Sequence, residues 1–121
     1  MNAIAAPLTE THAELLGLLA SVYLENNRPE KAAVLLAALD ALGLAQPRQR
    51  VALALAQLRA QKPNDALGTL ERIALSGAID ATFHLVRAQV LTVLERPQEA
   101  GAAMRAYVAL RGAPVPPSVS A

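Results

Sequence analysis

Apolar residues recur every three or four positions over residues 10–26, 29–43, 47–60, 63–76, 79–94 and 97–111, with polar side chains between them and breakers at the joints. That spacing predicts six amphipathic helices, because one face of a 3.6-residue turn is apolar in each. Pairs of these segments are joined by two residues only, at 27–28, 61–62 and 95–96. Connections so short make the paired helices antiparallel neighbours. Pro29, Pro63 and Pro97 open the second helix of each pair, where a missing N–H costs nothing and the fixed φ is already helical. Arg28, Lys62 and Arg96 are poor N-cap residues, which leaves Asn27 and Gln61 as candidates for side-chain capping.

The same prolines lie 34 residues apart, each preceded by a basic residue and followed three positions later by an alanine: Ala32, Ala66 and Ala100. A second ladder, Ala20, Ala54 and Ala88, keeps that interval, and a third runs through Leu36, Leu70 and Met104. A 34-residue period is the sign of helix–turn–helix repeats that stack into a superhelix. The alanines have a packing reason. Where two helices of a hairpin cross closely, a side chain larger than methyl holds the axes apart, so Ala20 is expected against Ala32, Ala54 against Ala66 and Ala88 against Ala100. Leu16, Leu19, Leu36, Leu39, Leu53, Leu70, Ile73, Met104 and Tyr107 fall where residues would fill the space between repeats.

The fold class expected is therefore all-α, three helical hairpins stacked as a short right-handed superhelix over residues 10–112. Residues 1–9 show no periodicity and are expected to be extended or disordered, as is the proline-rich tail 113–121. No polar-faced capping helix is expected after the sixth. Its flank, with Ala103, Tyr107 and Leu110, is expected to be exposed and to serve self-association or a permanent partner.

Composition removes several function classes. The chain of 121 residues is 54% hydrophobic, which suits one packed domain. Polar residues interrupt every helical stretch, so no membrane-spanning segment is expected, and no secretory signal is apparent in Met1 to Leu8. With no cysteine there is neither a disulfide framework nor a thiolate metal site. The net charge of +1 hides an asymmetry: residues 1–46 carry five acids against Arg28 and Lys31, and residues 47–121 carry nine bases against five acids. Nucleic-acid binding is not expected. It needs a dense basic stripe or stacking aromatics, and Tyr23, Phe83 and Tyr107 are the only aromatics.

No catalytic, cofactor or metal constellation emerges. His12 and His84 belong to no nucleophile or ligand pattern, and His84, following Phe83, reads as a packed residue rather than a general base. Glu10 and Glu14 have no third ligand and read as an acidic first turn. The glycines form no phosphate-binding loop; Gly43, Gly77 and Gly112 stand where helices stop.

Over residues 12–112 these offsets resemble the tetratricopeptide repeat family, through the alanine ladders and through Tyr23 in the first helix. The family's early tryptophan position is held by Leu16, Arg50 and His84, and its repeat-ending proline by Leu44, Ala78 and Gly112, so the second and third repeats are degenerate. The resemblance implies a concave binding groove lined by Gly17, Ser21, Leu24, Val51, Leu55, Leu58, Leu85, Gln89 and Thr92. Val51, Leu55 and Leu85 read equally well as core between repeats. Arg48 and Arg59, with Arg50 and Arg87, stand as a polar rim. The basic clamp by which some members hold a chaperone carboxy-terminus is missing, since Gly17, Ser21, Ala52, Thr82 and Val86 occupy those places. A mostly small and apolar groove suits an amphipathic helix or an extended apolar segment of a partner.

Within that family, Leu15-Leu16-Gly17-Leu18-Leu19, the run from Glu30 to Leu39, Arg87-Ala88-Gln89, Glu99-Ala100 and Tyr107 are similar to the type III secretion chaperones of the YscY (SctY) family. This resemblance covers about residues 13–112. It implies a non-enzymatic, cytoplasmic bacterial chaperone that keeps a small secreted protein of the YscX (SctX) type soluble and delivers it to an export gate of the SctV family. Two alternatives stand beside it: a needle-subunit co-chaperone of the YscG type, and a general tetratricopeptide scaffold unrelated to secretion.

Overall fold

In the computed structural model, which describes residues 10–112, the chain folds into six helices: α1 (Glu10–Glu25), α2 (Pro29–Ala41), α3 (Pro47–Arg59), α4 (Pro63–Ser76), α5 (Ala81–Val93) and α6 (Pro97–Arg111). Each packs on the next in sequence, and α3 also touches α5. The result is three helical hairpins set side by side, with no strand among the described residues. The expected ends agree within two residues. The expectations for residues 1–9 and 113–121 lie outside the described part of the chain.

The alanine ladders close the hairpins. Ala20 and Ala32 are buried in one cluster, Ala54 and Ala66 in a second, Ala88 and Ala100 in a third. Between the hairpins the larger side chains do what their spacing predicts: Leu36, Leu39, Leu53, Leu70 and Ile73 are all buried. Leu19 and Met104 are not. Both remain exposed, because they sit on the outermost helices, whose outer sides have no neighbouring hairpin in the described chain. Ala103 departs in the other direction: expected on an open flank, it is buried with Ala88 and Leu91 against α5.

The turns inside the hairpins repeat one backbone motif. Asn27, Gln61 and Glu95, again 34 residues apart, have φ of 58°, 67° and 59°. Their amides donate to the carbonyls of Leu24, Leu58 and Thr92, and the next amides, of Arg28, Lys62 and Arg96, donate to Tyr23, Gln57 and Leu91. Together these two bonds form the Schellman C-cap, which satisfies carbonyls the helix end would leave open. Asn27 and Gln61 therefore serve through a left-handed backbone; the helices that follow have no side-chain cap bond. The third turn is further clasped by Arg96, which donates two hydrogen bonds to the Glu99 carboxylate at 2.7 and 2.9 Å. Those bonds hold the Glu99 carboxyl below its ordinary pKa.

One ion cluster ties the first two hairpins together. Asp40 on α2 lies 3.2 Å from Arg50 Nε on α3 and 3.5 Å from Arg72 on α4. Arg50 Nε is close enough for charge attraction yet has no aligned hydrogen bond, so the link is a Coulombic contact more than a directional one. Arg50 thus belongs to a seam between repeats and not to a groove rim.

Candidate binding clefts

Among the described residues two clefts of about 620 and 630 Å3 open in the stack. The first, about 620 Å3, lies between α1 and the start of α3; Gly17, Ser21 and Leu24 form one wall, Arg48, Gln49 and Ala52 the other. Its geometry begins with Gly17. A Cβ there would overlap the Gln49 side-chain amide, so the glycine leaves the room that the end of this flexible side chain fills. Gln49 in turn accepts the Gln46 backbone N–H at 2.8 Å, which satisfies an open donor at the α3 terminus. Ser21 donates back to the Gly17 carbonyl at 3.2 Å. The Ser21 hydroxyl is thereby directed at its own backbone, and the cleft joins small and apolar side chains to the polar ones of Glu14, Arg48 and Gln49.

The second cleft, about 630 Å3, lies between α5 and α6 and is lined by Gln89, Thr92, Pro97, Gly101 and Met104 among others. Thr92 repeats the arrangement of Ser21, donating to the Ala88 carbonyl at 2.8 Å. Gly101 keeps the α6 wall low, and the Gln89 amide is exposed.

The nine residues expected in one groove are thus distributed over three settings. Gly17, Ser21 and Leu24 line the first cleft, Gln89 and Thr92 the second. Val51 is core, 5% exposed and clustered with Phe83 and Val86. Leu55 and Leu58 are half-buried against that same cluster, and Leu85 is half-buried without lining either cleft. The middle of the expected groove is occupied by the seam between the second and third hairpins, where α3 meets α5 directly. Of the expected rim, Arg48 borders the first cleft and Arg59 is exposed away from both. Gln49 and Gly101 escaped the sequence reading. Only the crowding at Gly17 and the shallow α6 wall reveal them.

His84 packs edge to face on Phe83, with ring centroids 5.2 Å apart, and its Nδ1 is buried without a hydrogen-bond partner. Among the described residues no three metal-ligating side chains come together. No described helix is long and apolar enough to cross a membrane. Compared with family models, curated proteins and solved structures, the chain matches none.

Proposed function

We propose that this chain is a tetratricopeptide-type binding module acting as a non-enzymatic chaperone of type III secretion. In this reading it holds a small secreted partner of the YscX (SctX) type in the bacterial cytoplasm and hands it to an export gate of the SctV family. The observation that carries the reading is the pair of clefts, each about the size of a few side chains and lined by small and apolar side chains together with a few polar ones, Glu14, Arg48, Gln89 and Glu95 among them. Such surfaces bind by burying a partner's apolar residues, which an unaccompanied small substrate cannot bury for itself. The 34-residue period and the alanine ladders support the repeat type, and the partner class is what the resemblance of residues 13–112 to the YscY (SctY) family implies.

Co-expression with the YscX-type protein of the native host tests it. A stable complex of one-to-one composition is expected by co-purification, with the partner insoluble when produced alone. The double substitution Ser21→Glu with Thr92→Glu should abolish the complex while leaving circular dichroism unchanged, since both side chains are exposed and bond only to their own helices. These positions replace Leu55 as the probe, because a charge at Leu55 would strike the core. Capture of the needle subunit instead would favour the co-chaperone alternative. A complex that survives both substitutions would remove the clefts from consideration.

A further inference from the structure

The two outer faces of the stack are apolar in a patterned way. On α1, Leu15, Leu18, Leu19 and Val22 are all exposed at the spacing of a single helical stripe. Their repeat equivalents explain the pattern. Moving by one or two periods of 34, Leu15 becomes Phe83, Leu18 becomes Val86, Leu19 becomes Leu53, and Val22 becomes Ala56 and Val90. Each of those equivalents is buried, and the remaining ones, Gln49, Ala52 and Arg87, are half-buried. On α6, Met104 corresponds to Leu36 and Leu70, both buried, yet Met104 is exposed; Tyr107, whose equivalents Leu39 and Ile73 are buried, is half-buried, and Val108 beside it is exposed. Helix α1 therefore presents the side that later hairpins turn toward the hairpin before them. Helix α6 presents the side that earlier hairpins turn toward the one after.

The charges on the two faces are opposite. Helix α1 carries Glu10, Glu14 and Glu25 and no lysine or arginine; from Met104 onward α6 carries Arg105 and Arg111 and no acid. Arg111 lies over the Tyr107 ring, 5.4 Å from its centroid, which keeps the guanidinium on the exposed side. Register follows from the existing seam. The Asp40 to Arg50 contact, moved two periods forward on one side and one period back on the other, becomes Val108 opposite Leu16 of a following copy. That antiparallel alignment brings Arg111 beside the half of α1 that holds Glu10 and Glu14.

We propose that the α6 face of one copy docks on the α1 face of a second copy, head to tail, so that the superhelix continues across the junction. An α1-to-α1 pairing would instead set acid against acid. A head-to-tail contact is heterologous and does not close on itself unless the rotation makes a ring, so the assembly grows with concentration. The two faces share Glu14, Leu18 and Met104 with the clefts, yet the proposal does not rest on the export reading and is tested without any secreted partner.

The test is sedimentation velocity on the full chain over a concentration series, with Leu18→Glu and Met104→Glu each blocking one face. Wild type should gain mass with concentration. Each variant alone should stay monomeric, and an equal mixture should stop at the dimer, because only one good face remains on each. Glu14→Arg and Arg111→Glu provide a second pair should Met104→Glu unfold: each should weaken assembly, and mixing them should restore it. High salt should reduce growth. A wild type that is monomeric throughout, whether its faces are idle or covered by residues 1–9 or 113–121, would overturn the proposal. So would a Met104→Glu variant that associates like wild type, or a mixture that remains monomeric.

Discussion

At the scale of single residues, the least expected finding is that Asn27, Gln61 and Glu95 hold a left-handed backbone that glycine would adopt more cheaply. For a side chain with a Cβ that conformation costs about 1–2 kcal/mol, against about 0.5–1 kcal/mol of extra chain entropy lost by glycine. Gln61 is exposed, so its side chain contributes little to offset the difference. Gln61→Gly should therefore raise stability by about 0.5–1 kcal/mol, visible as a melting temperature a few degrees higher. An unchanged or lower value would mean that the Gln61 side chain supports the turn in some way its exposure conceals. The sequence disclosed that a turn falls here, through the proline two residues later. It did not disclose the αL geometry, because asparagine, glutamine and glutamate are also ordinary residues of a helix end.

At the scale of helices, the alanine ladders were fully legible, since a methyl group at a fixed 34-residue interval has few explanations other than close crossing. Ala66 has no exposed surface and shares a cluster with Ala54 and Leu70. Ala66→Leu should push α3 and α4 apart and cost about 1–3 kcal/mol, measured by urea unfolding. A tolerated leucine would show that the hairpin has room that its burial denies. Periodicity was less informative about which side of a helix meets another hairpin. Val51 and Leu55 satisfy the groove register and the core register alike, and the choice fell to packing: α3 lies directly on α5, so the middle of the array closes. Gly17 was legible as a cleft residue, whereas its partner Gln49 was not, because a helix-start glutamine has no sequence mark of being pressed against another helix.

At the scale of the whole molecule, the three clusters are unequal. The first buries the large side chains Leu36, Leu39 and Leu53 from two helices, and the second buries Val51, Leu70, Ile73, Phe83, Val86 and Val90 from three. The third has Leu91 as its one large member, with Ala88, Ala100 and Ala103 around it. Buried apolar area sets most of the local stability, and in a repeat array each hairpin depends on its neighbours alone. Amide hydrogen exchange should therefore show α6 losing protection at lower denaturant than α3 and α4. Simultaneous loss across all six helices would mean that the seams couple the chain into one unit.

That imbalance gives the protein a preferred direction of failure. A protease acting on transiently opened chain would cut within the last hairpin first and then slow at α4, leaving a fragment of about four helices whose newly bared α3 and α4 surfaces, with Val51, Leu70 and Ile73 stripped of Phe83, would be prone to precipitate.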